Sequence, residues 1–496
     1  MSNNARKIRP KAYLARAIGL ALGLLPVSLF GQVTGSWNVD ASGNWTTTTN
    51  WNSDPNYPRD GGTAAFGMAA SAPVTVTLDV DVTLAGLTFA GANQYTIAAM
   101  EPFQITLVGS HIVNVFNGVH EVSAPIAGTV GLIKNGAGSL ILSGNSTFSG
   151  SIFINSTAGL LRASSSGALG TPTSGTSILL GSNTALELDA GVNGIDLGMR
   201  NVALASGASA ESGGSLRVLS GSNLSAGDYF IMSPTVINVS DGATLTHSGE
   251  IIDNNVSGHN GLTKIGDGVF ETKRFGGAPV APMGAPQPVT SLTLADGLAR
   301  VSTSADVVAT TSRINTLTIT DGSLDLTNNR VVIDYTGDSP LTTVISELHS
   351  TEIFTSTLNR RIGYAEASEL FLELPPSWSG QPIDATSLLL QSTLSGDLNL
   401  DGAVNFQDLL LIAQHYGGPG QWLDGDVNYD GLVNFTDLLT VSQTYGMSIV
   451  GNGNTILGDD HFASDWASVT TSVPEPSTAW LLILAGLATR RAPVIR

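Results

Sequence analysis

From about residue 35 to residue 338, apolar and polar positions alternate in short runs, and the 3.6-residue spacing of amphipathic helices is scarce. Val74, Val76, Leu78 and Val80 share one face of an extended segment, with Thr75, Thr77 and Asp79 on the other. Leu317 and Ile319 alternate with threonines in the same way, and Leu324 and Leu326 flank Asp325. Asp-Gly pairs at 241, 296 and 321, and Gly-Ser-Asn at 181 and 221, separate such runs and favour tight turns. The pattern predicts many short strands, each with one buried face. Helical spacing appears late: Leu409, Ile412, Ala413 and Tyr416 end at Gly417, and Leu438, Val441 and Tyr445 end at Gly446. Two short helices are expected there.

Composition sharpens this picture. The 496 residues exceed one compact core, so several domains are expected. The 57 glycines, with only 12 % charged residues, argue against a helical or doubly wound α/β enzyme and for a turn-rich all-β chain. A hydrophobic content of 42 % is enough to bury a core, which argues against disorder. The formal net charge is −19. Residues 1–31 and the stretch from Arg490 together hold eight of the 21 basic groups and none of the 40 acidic ones, so the region between is more acidic still. Nucleic acid and anionic membrane surfaces are therefore unfavourable partners, and divalent cations favourable ones. There is no cysteine, which excludes disulfides, thiolate metal sites and a cysteine nucleophile.

The densest pattern lies within 131–170. Gly136, Gly138, Leu140, Leu142, Gly144, Asn145, Phe148 and Gly150 follow G-x-G-x-L-x-L-x-G-N-x-x-F-x-G. This resembles the autotransporter-associated β-strand repeat, with Phe148 at its aromatic position; residues 261–270 look like the start of a degenerate second copy. The resemblance implies a mainly β fold, a right-handed parallel β-helix or solenoid, with alternate Leu, Ile and Val inside and Gly or Asn at the corners. Leu140, Leu142, Ile152 and Ile154 are expected inside. Trp37, Trp45 and Trp51 are read as a cap over the open solenoid end rather than a sugar-binding platform. Residues 276–290 form a Pro/Gly/Ala-rich loop, and 291–394 a second β block. Its Asp334–Gly337 and Gly363–Ser368 stretches resemble segments that precede dockerins in planctomycete-type surface proteins, with no chemistry attached.

Sharper chemistry lies in two segments 29 residues apart. Each reads D-x-N-x-D-G-x-V-N-x-x-D. Calcium takes six to eight hard oxygen ligands, and a 12-residue loop supplies them from positions 1, 3, 5, 7 (a carbonyl), 9 and 12. The first loop offers Asp397, Asn399, Asp401, Ala403, Asn405 and Asp408; the second offers Asp426, Asn428, Asp430, Leu432, Asn434 and Asp437. Gly402 and Gly431 stand at position 6, where the chain must turn sharply. An aspartate at position 12, the duplication and the following helix resemble the type I dockerin over about 396–446. The resemblance implies two calcium ions and a cohesin-like partner. Phe406-Gln407 and Phe435-Thr436 depart from the small or polar contact residues usual there, which leaves open a cohesin, another surface protein or an extracellular polysaccharide. Whether the two phenylalanines are exposed contacts or core is also open.

Each terminus carries a targeting pattern. Residues 1–31 have a basic start ending at Arg16 and an apolar run over 17–30, as in a secretory signal. At the other end Pro474, Glu475 and Pro476 precede an apolar run over 479–488 and then Arg490-Arg491. This resembles the PEP-CTERM sorting tail, which implies an exosortase-type processing enzyme and a transient membrane stay, because the apolar run is short. The expected organisation is 1–31 signal, 32–130 β cap and first coils, 131–275 repeat solenoid, 276–290 loop, 291–394 second β block, 395–447 calcium module, 448–472 linker and 473–496 sorting tail. A cell-surface or matrix location follows.

Catalytic signatures are scarce. H-E-x-x-H, G-x-S-x-G and a phosphate loop do not occur, and the seven histidines are scattered. Glu187 and Asp189 share a strand face and are the one carboxylate pair considered, with a solvated strand face the favoured explanation. The expectation is a non-catalytic scaffold or adhesin; a β-helix glycoside hydrolase or lyase carrying a dockerin is the alternative.

Overall fold

The computed structural model describes residues 31–155, 159–204, 213–253, 260–276, 287–288, 291–450, 455–458 and 461–472. The expected signal (except Gly31), most of the 276–290 loop and the sorting tail lie outside the described residues. The chain is mainly β, and its body is a parallel β-solenoid. Successive coils contribute one strand to each of two 12-stranded sheets. From residue 222 a third sheet of six strands joins them, beginning with Ser222–Ser225 and Thr244–His247 and ending with Ile353–Phe354.

Alternation along the chain becomes a column across it. In the second sheet Val76, Ile97, Val122, Leu142, Ala163, Leu188, Val218 and Val239 stand in register on successive strands. Each is at most 1 % exposed. Every coil thus buries the apolar face of its neighbour, and stacking supplies the core that no single coil has. Leu140, Leu142, Ile152 and Ile154 point inward as expected, while Ile141 and Phe153 are only half-buried. Phe148 is fully buried.

The corner glycines have a steric reason. At Gly136 φ is +82°, and a Cβ there would lie 2.2 Å from the Val115 carbonyl oxygen of the preceding coil. Beside this corner the buried Lys134 donates from Nζ to the Gly136 carbonyl at 2.6 Å. Lys264 does the same job at a later corner, with Nζ donating to the carbonyls of Gly268 (2.7 Å) and Asp296 (2.9 Å) as well as Gly266. Burial lowers both ammonium pKa values to about 8.

Trp37, Trp45 and Trp51 are buried to 2 % exposure or less. Trp45 and Trp51 rings are 4.8 Å apart, and both pack on Phe66, which stacks on Phe89 of the next coil at 5.1 Å. Their indole nitrogens donate to the carbonyls of Pro58 and Trp45. The three rings are packed inside the first coils, with no face open to a sugar.

The solenoid sheets run on past residue 275. Ser291–Leu294 and Thr316–Ile319 continue the second sheet, and Gly297–Val301 and Gly322–Asp325 the third. Within the expected 276–290 loop, Gln287–Pro288 pairs antiparallel with Asp253 and Ile252. Behind the last coils sits a four-stranded sheet ordered Ser312–Ile314, Arg330–Asp334, Ser387–Leu394, Arg360–Glu366. Its central strand, Ser387–Leu394, is buried at every position and leads directly into the first calcium-type loop. Helix α1 (Leu341–His349) packs on Ile353–Phe354 of the third sheet, and α2 (Ala367–Leu370) on Arg360–Glu366 and Ser387–Leu394 of the four-stranded one. Helices α3 (Phe406–His415) and α4 (Phe435–Thr444) follow the two loops, and α5 (Phe462–Ser472) closes the described chain. The stretch expected as a linker holds the hairpin Met447–Ile449/Thr455–Leu457 as well as α5. Among the described residues no helix is long and apolar enough to cross a membrane.

Candidate metal centre

Each loop is folded by its own side chains. Asp397 accepts from the amides of Asp401 (3.0 Å) and Gly402 (2.9 Å), Asp401 from Ala403 (2.9 Å), and Asp408 from Leu398 and Asn405 (2.8 Å each). Twenty-nine residues later the same bonds recur. Asp426 accepts from Asp430 (3.1 Å) and Gly431 (2.8 Å), Asp430 from Leu432 (2.9 Å), and Asp437 from Val427 (3.1 Å) and Asn434 (3.0 Å). Asn405 and Asn434 cap α3 and α4, and Asp408 and Asp437 complete both capping boxes. Position 4 (Leu400, Tyr429) and position 6 (Gly402, Gly431) take the left-handed conformation that wraps the loop.

The two halves are related by a pseudo-two-fold. Val404 of the first loop pairs with Gly446-Met447 after α4, and Val433 of the second with Gly417-Gly418 after α3. Gly396 abuts Val441 of α4 just as Gly425 abuts Ile412 of α3; at either glycine a Cβ would come within about 3 Å. No helix enters either loop: a strand precedes the first, and a single turn, Trp422–Asp424, the second.

Asp397, Asp408, Asp426 and Asp437 are at most 1 % exposed. Residues 396–446 contain no Lys or Arg. Burial, and behind it the charges of Asp408 and Asp401, pushes Asp397 up to about 7 despite a hydrogen bond from Thr393. Burial pushes Asp408 up to about 6, and raises Asp426 and Asp437 too. Buried carboxylates without a cation are costly, and the remaining donors are amide and carbonyl oxygens, so the set fits a hard divalent ion. Among the described residues no three or more His, Cys, Asp or Glu side chains converge as a metal cluster on their own. A hard ion would therefore need the Asn oxygens and the position-7 carbonyls of Ala403 and Leu432 as well.

The module does not stand alone. Tyr429 reaches the free edge of Arg360–Glu366, where its hydroxyl donates to the Ile362 carbonyl (2.9 Å) and accepts from the Ile362 amide (3.0 Å). Trp422 is fully buried; its Nε1 donates to the Asp397 carbonyl (2.9 Å) and its amide to the Tyr364 hydroxyl (3.3 Å). Gly363 makes room for this, since a Cβ there would lie 2.4 Å from Leu400 Cδ2 and 2.8 Å from the Trp422 ring. The aromatic residue of the 363–368 stretch thus helps seat the calcium-type loops. Spacing within the loops did not single out Trp422 or Tyr429. The usable signal was an aromatic at position 4 of the second loop where the first has Leu400. On the opposite flank α5 packs on α3: the Tyr445 hydroxyl donates to Asp465 (2.5 Å), and Trp466 meets Tyr416 edge-on.

Phe406 and Phe435 occupy equivalent first-turn positions and are 43 % and 65 % exposed, so neither completes the core. The other candidate, Glu187 with Asp189, is not a solvated pair. The Glu187 carboxylate is 6 % exposed, and Arg162 (2.7 Å) and Arg217 (3.0 Å) clamp it from the neighbouring strands. Asp189 accepts from Ser220. Pro474, Glu475 and Pro476 lie outside the described residues.

Two family models match. Residues 132–162 match the passenger-associated-transport-repeat, and residues 395–445 the dockerin type I domain. Type I dockerin domains are calcium-binding modules that bind cohesin partners, and both matches are typical of extracellular or surface proteins. No curated protein and no solved structure matches the chain.

Proposed function

We propose that this is a non-catalytic extracellular scaffold, a β-solenoid that carries a calcium-dependent docking module at its C-terminal end. The observation that carries the reading is the duplicated loop, with the same side-chain-to-amide bonds at a 29-residue offset and four buried carboxylates lacking a basic partner in the module. In this reading two calcium ions bind, one per loop. The first is held by Asp397, Asn399, Asp401, the Ala403 carbonyl, Asn405 and Asp408. The second is held by Asp426, Asn428, Asp430, the Leu432 carbonyl, Asn434 and Asp437. Calcium offsets most of the negative charge of each loop and fixes the N-terminus of the following helix, which sets Phe406 and Phe435 at the surface as contact residues for a cohesin-like partner. The secretory signal and the Pro474-Glu475-Pro476 tail, processed by an exosortase-type enzyme, would deliver the chain to the cell surface or matrix. The clamped state of Glu187 supports a structural rather than a hydrolytic role for the solenoid face. Capture of immobilised type I cohesin by the full chain tests the reading. Capture in calcium, lost with chelator and weakened in Phe406→Ala/Phe435→Ala, is expected; chelator-independent capture, or none by any cohesin, counts against it.

A further inference from the structure

Between the four-stranded sheet and the calcium module lies a groove of two adjoining lobes, about 310 and 300 Å³, that share Asn359, Arg361 and Ser395. One wall comes from α1 and the 351–362 stretch; the other comes from the second loop and α4, through Asn428, Tyr429, Thr440 and Gln443. We propose that this groove binds an acidic oligosaccharide, a uronate- or sulfate-bearing glycan segment, through Arg361. The inference goes beyond docking to a protein partner and does not depend on one.

Charge is the first argument. The chain holds 40 acidic against 21 basic residues, yet no Asp or Glu lines either lobe, while Arg360, Arg361 and His349 do. Most guanidinium groups on the solenoid faces are matched to carboxylates, as Arg162, Arg217, Arg274 and Arg300 are, and so is Arg313 of the four-stranded sheet. Arg361 is half-buried and pairs with no carboxylate among the described residues; it rests over the Tyr429 ring, 5.8 Å from its centroid. A guanidinium that lines both lobes beside an aromatic ring offers a planar fork suited to a carboxylate or sulfate.

The rest of the lining argues for a sugar over a simple anion. Asn359, Ser395 and Gln443 bring hydroxyl and amide groups to the lining, and Phe354 supplies aromatic surface. Hydrogen-bonding amides around a ring and a cation suit a polyhydroxylated, charged ring. The size of each lobe lies at the small end of ligand pockets, about 300 Å³ upward, and suits one or two sugar units. Position also matters: clefts between packed units are common ligand sites. Because Asn428 and Tyr429 belong to the second calcium-type loop, whatever orders that loop also shapes the wall, and coupling between the two ligands is reciprocal.

Calorimetry on the full chain in calcium provides the test, with tetragalacturonate, a sulfated tetrasaccharide and a neutral tetrasaccharide as probes. At least one anionic probe should bind about tenfold or more tightly than the neutral one, as one charge-assisted contact predicts. Arg361→Gln should weaken the anionic probe by about 10- to 100-fold while leaving calcium titration intact. Gln443→Glu, which adds an acid to the opposite wall without touching the Arg361–Tyr429 contact, should weaken it too. Binding of the uronate or the sulfate probe alone supports the site and identifies the anionic group. Equal affinity for the neutral probe, no binding of either anion, or unchanged affinity in Gln443→Glu would overturn the proposal.

Discussion

Tyr429→Phe removes one oxygen atom and tests whether the calcium module is built into the body. The Tyr429 hydroxyl satisfies both the amide and the carbonyl of Ile362, at 3.0 and 2.9 Å, where the outer edge of Arg360–Glu366 has no further strand. Tyr429 is 9 % exposed and Ile362 1 %, so water does not readily replace the lost partner. Leaving two buried backbone groups short of a partner costs about 1–3 kcal/mol, and a value near 2 corresponds to roughly a 30-fold shift toward the undocked module. Hydrogen exchange read at the Ile362 amide, in calcium, should show protection falling by about that factor. The isosteric ring keeps its contacts with Trp422 and Tyr364, so calcium binding should persist. Equal protection of Ile362 in the variant and the parent would refute the seating argument.

Gly363→Ala should loosen the same seat, because its Cβ would meet Leu400 and Trp422 well inside contact distance; about 1–3 kcal/mol of overpacking should appear as a lower midpoint in urea unfolding of the module. Without calcium, Asp397 and Asp408 have pKa values raised to about 7 and about 6, so folding takes up protons between the ordinary carboxylate range and those values. Stability of the metal-free module should therefore fall as pH rises through that window, and thermal melts with chelator should give a higher midpoint at pH 5 than at pH 7.5. Calcium competes with those protons, so its stabilising effect should grow over the same range. Glu187→Gln leaves Arg162 and Arg217 facing each other; the residual exposure of both arginines screens the effect, and a loss of about 1–2 kcal/mol in chemical unfolding is expected.

The repeat and the loops were legible in the sequence because both are local. A solenoid coil repeats its inward positions every second residue, and a calcium-type loop states its donors within 12 residues. Glu187 was misread because its partners, Arg162 and Arg217, are 25 and 30 residues away and meet it only once strand register is fixed. The seat was invisible for the same reason: Tyr429 meets Ile362 across 67 residues and Trp422 meets Tyr364 across 58. Exposure of Phe406 and Phe435 could not be decided from helical spacing either. As the first residues of their helices they fall beside the buried stripe, whose members are Leu409 with Ile412 and Leu438 with Val441. The run of the solenoid sheets beyond 275 was obscured by the Pro/Gly-rich stretch, which interrupts the sequence pattern without ending the stack.

Calcium titration of the full chain by calorimetry tests the central claim most directly. Two ions per chain should bind, each with a dissociation constant below about 10⁻⁴ M, the tighter side of extracellular calcium modules. Asp401→Ala and Asp430→Ala should each remove one ion and leave the other. Absence of calcium binding in the parent chain, or retention of both ions in either variant, would contradict the account.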